Sequence, residues 1–93
     1  MIDISEATRI SRNPAILAVE VDSETVMMSI DAGRYYGLDD IGTVIWTRID
    51  PPCSFGDLVD GLAMEYEADR VTIASDVRAL LDRMVQQDVV RLD

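Results

Sequence analysis

The residues of this chain that could do chemistry are its carboxylates, one thiol and a short run of aromatic, strand-forming positions. The carboxylates fall in pairs, Asp39 with Asp40, Asp57 with Asp60 and Glu65 with Glu67, which invites a reading as Mg²⁺ or Ca²⁺ ligands. They lack the loop spacing of a calcium motif such as D-x-D-x-D-G. Helix caps and solvated faces explain them, so no metal and no cofactor is expected. Cys53 stands just ahead of an expected helix, where free amides lower a thiol pKa. The chain contains no histidine, hence no imidazole base for a Ser-His or Cys-His pair and no histidine metal ligand. Pro51-Pro52-Cys53-Ser54 reads as an ordinary loop into a helix, and a single cysteine excludes an internal disulfide or a CxxC metal site. No catalytic residue is assigned. What remains is Arg34-Tyr35-Tyr36-Gly37-Leu38, an aromatic stretch unguarded by lysine or proline. On the edge of a sheet, such a strand is a template for another chain. The chemistry it offers is recognition through main-chain hydrogen bonds.

That stretch sits where the periodicity changes. Ile16 to Asp22 alternates, with Leu17, Val19 and Val21 pointing one way, and reads as a half-buried strand. Asp22-Ser23-Glu24 is turn-like. Thr25 to Asp31 alternates again, with Val26, Met28 and Ile30 on one face and Met27 and Ser29 on the other. Asp31-Ala32-Gly33-Arg34 is a tight connection with Gly33 at the position needing positive φ. The three strands form an antiparallel meander with Arg34–Leu38 on its edge. Upstream, residues 1–14 are polar with scattered isoleucines. Pro14 marks a break, and a short extended piece is expected around Thr8 to Ser11 within an otherwise loosely ordered segment.

From Ile41 the apolar positions become Ile41, Val44, Ile45 and Ile49, which is helical spacing, and Asp39 or Asp40 is the N-cap. This first helix ends before Pro51-Pro52. A second begins at Ser54-Phe55-Gly56-Asp57, a form of capping box, and carries Phe55, Leu58, Val59, Leu62, Ala63 and Tyr66 on one stripe. Gly61 inside it costs about 1 kcal/mol relative to alanine, which points to a neighbour packed close against it. A third runs from Val71 or Thr72 to Gln87 with Ile73, Val77, Leu80, Leu81 and Met84 on one face. Val89 to Leu92 is a short terminal strand. Trp46, on the flank of the first helix, is expected in the core. The fold class is α+β, a winged helix-turn-helix-like domain spanning 1–93.

Composition narrows the partners. The net charge is −10, with eight arginines and no lysine. Such a surface repels phosphate backbones, on which nucleic-acid affinity chiefly depends, and anionic lipid. The second and third helices look like a helix-turn-helix, but the third carries Asp76, Arg78, Asp82, Arg83 and Asp88, without the basic excess of a recognition helix. A winged-helix transcriptional regulator is therefore the disfavoured alternative. No apolar run approaches the roughly 20 residues that span a bilayer. Met1 to Glu6 has neither a basic start nor an apolar stretch, so the expected location is the cytoplasm.

Over Gly33-Arg34-Tyr35-Tyr36-Gly37-Leu38-Asp39-Asp40-Ile41-Gly42-Thr43-Val44-Ile45-Trp46, and again over Asp76-Val77-Arg78-Ala79-Leu80-Leu81, the chain resembles the PqqD-like family, the RiPP recognition elements. It looks most like the stand-alone members of lasso peptide biosynthesis. The resemblance covers about residues 15–92. Asp39 stands where the family commonly has Asn, and Asp88-Val89 replaces a usual Gly-Leu after the third helix. What the resemblance implies is a non-catalytic protein that binds the leader segment of a ribosomally made precursor peptide. The leader docks as an extra strand on Arg34, Tyr35, Tyr36, Gly37 and Leu38. The wall beside it is Asp76, Val77, Leu80, Leu81 and Met84, although Leu80, Leu81 and Met84 also suit the core. The implied recipient is a leader-cleaving cysteine protease in lasso systems, or a radical-SAM enzyme in the quinone-cofactor pathway. The residues leave two other covers for the edge open: residues 1–14, or a second copy of the chain in a homodimer.

Overall fold

A computed structural model describes residues 4–22 and 24–93. Nine elements follow in order: β1 (Arg9–Arg12), β2 (Ile16–Val21), β3 (Glu24–Ser29), β4 (Arg34–Leu38), α1 (Asp40–Arg48), β5 (Cys53–Ser54), α2 (Phe55–Glu65), α3 (Arg70–Gln86) and β6 (Val90–Leu92). The expected meander is present as an antiparallel sheet in the order β2-β3-β4. Its register runs from Ile16 opposite Ser29 to Val21 opposite Glu24, and from Thr25 opposite Leu38 to Ser29 opposite Arg34. The turns follow from residue types that tolerate left-handed backbone. Asp22 has φ 56° between β2 and β3. Gly33 has φ 65° before β4, and its amide donates to the Ser29 carbonyl at 2.8 Å.

The alternation along β2 is as expected, but its burial is not. Leu17, Val19 and Val21 are 51%, 63% and 54% exposed. The core lies under the other face, where Ile16, Thr25, Met27 and Leu38 are buried. The reason is α1, which packs on that side and ties to β3 through a buried hydrogen bond from Thr25 Oγ1 to Thr43 Oγ1.

The loosely held N-terminal piece is a strand with partners. β1 pairs antiparallel with β5 on one side and β6 on the other, so the first, middle and last parts of the chain meet in a second small sheet. Ile4 and Ile10 from this region are buried in the core. Residues 4–14 thus do not cover β4; residues 1–3 lie outside the described residues.

The helices start and stop for local reasons. Asp39, Ser54 and Asp69 cap α1, α2 and α3 by accepting from the amides of Gly42, Asp57 and Thr72. α3 begins at Arg70, one or two residues before the start at Val71 or Thr72 that its pattern predicts. Both α2 and α3 end in a Schellman arrangement. After α2, Glu67 has φ 49° and the Ala68 amide reaches back to the Ala63 carbonyl. After α3, Asp88 has φ 59° and the Val89 amide reaches the Met84 carbonyl. The close neighbour expected at Gly61 is Arg48: a Cβ there would lie 2.8 Å from its Nη1, and the same guanidinium bonds Glu65 at 3.1 Å. Trp46 is core, with the Arg12 guanidinium stacked 4.5 Å from its ring centroid.

Candidate functional site

β4 pairs with β3 alone among the described residues, so its outer row of backbone amides and carbonyls is unpaired. Its end is held firmly. Leu38 is buried, Asp39 follows as the cap of α1 with its Oδ1 2.9 Å from the Gly42 amide, and Thr43 Oγ1 donates to the Leu38 carbonyl at 3.4 Å. Gly42 permits this close turn, since a Cβ there would come within 3.1 Å of Leu38 Cβ and Cδ2.

α3 runs beside this edge and leaves a trough of two clefts. One, of about 200 Å³, is lined by Gly37, Leu38 and Asp39 from the strand side and by Leu80, Arg83, Met84 and Gln87 from α3. The other, of about 220 Å³, lies past the end of the strand. Ile41, Leu62, Tyr66, Ile73, Asp76 and Val77 line it, together with the shared Asp39, Leu80 and Arg83. Each volume suits one or two side chains. The trough therefore offers an extended guest a row of backbone partners on one side and apolar recesses on the other.

The residues expected at the site distribute as follows. Arg34, Tyr35 and Tyr36 lie along the edge outside both clefts; Gly37 and Leu38 line the first. Tyr35 points to the opposite sheet face from Tyr36, since its partner is Met28 and that of Tyr36 is the buried Met27. On α3, Asp76 and Val77 line the second cleft, Leu80 lines both and Met84 the first. Val77 and Met84 are 2% and 1% exposed, so they form floor rather than wall. Leu81, 0% exposed, lines neither cleft and belongs to the core.

The helix thus carries two neighbouring stripes. Val77, Leu81 and Met84 face the core, and Asp76, Leu80, Arg83 and Gln87 face the trough. The second stripe has i, i+4, i+7, i+11 spacing, which was readable in the sequence but masked by its mixed polarity. Asp39, Ile41, Leu62, Tyr66, Ile73, Arg83 and Gln87 also line the trough, beyond the residues that the sequence points to. Arg83 is the one cation of the trough, beside Asp39 and Asp76, and forms no ion pair among the described residues.

Neither alternative chemistry gathers support from the geometry. Burial and the nearby Asp57 carboxylate push the Cys53 thiol up, against the opposing pull of Arg48, which is the reverse of an activated nucleophile. Among the described residues no three His, Cys, Asp or Glu side chains converge as metal ligands, and no helix is long and apolar enough to cross a membrane. On α3, the exposed Arg78 lies over the Phe55 ring at 4.9 Å, with Asp76 and Asp82 on the same helix.

Known proteins share this architecture. A family model described as coenzyme PQQ synthesis protein D (PqqD) matches residues 24–90. Two curated relatives, each called PqqA binding protein, come from Xanthomonas euvesicatoria pv. vesicatoria (strain 85-10) and Xanthomonas axonopodis pv. citri (strain 306). Each is 37% identical over 59 residues, 63% of this chain and 64% of theirs, so the match spans under two thirds of their length. Among solved structures, TbiB1 in complex with the TbiA(beta) leader peptide superposes with a TM-score of 0.81 at 27% identity, over 87% of this chain and 94% of that one. Lasso peptide synthetase B1 complexed with the leader peptide gives 0.77 at 25% identity, over 88% and 96%. The three-stranded antiparallel sheet with three helices is thus an architecture shared with two proteins solved in complex with leader peptides.

Proposed function

Because this chain belongs to the PqqD family, we propose that it is a non-catalytic peptide-binding protein that takes up the leader segment of a ribosomally synthesised precursor. The leader adds as a strand to Arg34–Leu38 and sets side chains into the trough against α3. The observation that carries this reading is the unpaired edge of β4 lying directly beside that trough. Main-chain pairing supplies affinity largely independent of guest sequence, and the recesses at Leu80 and Arg83 supply selectivity. The names of the relatives support the same class of ligand, since two are called PqqA binding proteins and two are structures with leader peptides.

The bound leader is delivered to a processing enzyme. One solved relative with this fold is called lasso peptide synthetase B1, which supports a leader-cleaving protease as recipient over the radical-SAM enzyme of the quinone-cofactor pathway. The absence of histidine from the sequence and the raised pKa of the one thiol support a role without catalysis of its own.

The test is a titration of the ¹⁵N-labelled protein with a synthetic leader peptide. Saturable shifts should concentrate on the amides of residues 34–38 and on Leu80, Arg83 and Gln87. Shifts confined to β2, the other edge of the same sheet, would place the guest on the wrong side and end this reading.

A further inference from the structure

The sheet that offers its edge to a guest also has one whole face that no other described element covers. The register places Leu17, Met28 and Tyr35 in one cross-strand row, Val19, Val26 and Gly37 in the next, and Val21 opposite Glu24 in the last. All of these point away from α1. Leu17, Val19, Val21 and Val26 are each about half exposed or more, and Tyr35 is 73% exposed. Together they make an apolar patch on the order of 500 Å², at the upper end of what a soluble monomer shows to water.

The patch has an acidic rim. Asp22 and Glu24 stand at one end of the hairpins and Asp31 at the other, all exposed. The single basic residue in the three strands is Arg34, whose register places it on the α1 side.

We propose that this outer face is the docking surface for a protein partner whose own contact is apolar at the centre and basic around it. Resting on the function proposed above, that partner is the enzyme that processes the leader. The charge decides among occupants. A second copy would bring its own Asp22, Glu24 and Asp31 against these, with a net charge of −10 on each chain, and like charges across an interface are repelled. An anionic membrane is repelled for the same reason. A partner with arginine or lysine around an apolar centre meets a complementary rim, which speeds encounter and fixes orientation. The area is also apt, because an apolar centre of this size plus its rim approaches the roughly 800 Å² that one partner contributes to a standard interface. Tyr35 supplies the aromatic anchor such centres favour. Because the patch lies on the face and the guest edge lies beside α3, both can be occupied at once.

The experiment uses the full chain, the purified processing enzyme of the same biosynthetic system and a fluorescent synthetic leader. Val19→Arg places a cation on the patch, and Glu24→Arg reverses the rim. Both positions are exposed, so circular dichroism should be unchanged. A folded control, Val19→Thr with Val26→Thr, keeps strand propensity while trimming apolar surface. Each variant should bind the enzyme about tenfold more weakly or worse, as for loss of an interface centre, while leader affinity stays within about twofold of wild type. Folded variants that bind the enzyme as wild type does would overturn the proposal. So would a wild-type dimer in sedimentation that Val19→Arg dissolves, since a second copy would then own the face. Failure of the wild-type protein to bind leader would instead strike the groove reading alone, because enzyme affinity reads the outer face directly.

Discussion

Thr25 Oγ1 donates a hydrogen bond to Thr43 Oγ1 across 2.9 Å in the buried layer between β3 and α1, and Thr43 Oγ1 passes its own proton toward the Leu38 carbonyl at 3.4 Å. The relay joins the middle strand, the first helix and the last residue of the edge strand. Thr43→Val preserves shape but removes both the acceptor for Thr25 and the donor to Leu38. Leaving a buried hydroxyl unpaired costs about 1–3 kcal/mol. Urea unfolding should therefore show a lower midpoint with an unchanged slope. An unshifted midpoint would mean the relay is replaced by water.

The two stripes of α3 separate stability from recognition. Val77→Glu buries a carboxylate in the core, where an unpaired charge costs several kcal/mol, and should unfold the protein. Leu80→Glu places the same charge on a half-buried wall of the trough. That variant should keep its circular dichroism spectrum and lose about tenfold or more in leader affinity, about 1.4 kcal/mol or more. A Leu80→Glu protein that binds normally would remove this wall from the guest's path.

Much of this molecule was legible in the sequence because its periods are strong. The alternation in 16–22 and 25–31, the helical stripes after Ile41 and the capping residues are local signals, and the elements stand where they point. Of the second sheet, the pieces that became β1 and β6 were legible singly, but β5 and the pairing of all three were not, because these strands of two to four residues come from three distant parts of the chain. The facing of β2 was misleading for a related reason. Its more apolar side, Leu17, Val19 and Val21, lies opposite the side that α1 covers, and no local pattern says where a helix will land. On α3, period showed one apolar stripe, and only packing divided its core from its trough side.

The exit of α3 provides a test of backbone chemistry. Asp88 takes φ 59° where glycine is the usual choice, and its negative charge sits at the unfavourable end of the helix dipole. Its carbonyl accepts from Asn13 Nδ2 at 2.7 Å, a bond that survives any side-chain change. Asp88→Gly relieves the left-handed strain but frees the unfolded chain, and the balance should stabilise by about 0.5–1 kcal/mol. Asp88→Asn, which removes the charge alone, should gain less. A destabilised glycine variant would show that the aspartate side chain has a partner in solution.

The salt dependence of leader binding separates backbone pairing from bulk attraction. With a net charge of −10, a basic leader would be drawn in from a distance, and that attraction fades as the Debye length shrinks from about 10 Å at 0.1 M to about 3 Å at 1 M. Strand pairing on β4 and apolar contacts at Leu80 and Ile73 are indifferent to it. Affinity should therefore fall by less than about threefold over that range. Arg83→Gln should remove what dependence the trough itself contributes, since Arg83 is its one cation. A loss of orders of magnitude, unchanged by Arg83→Gln, would mean that the acidic surface rather than the open edge holds the guest.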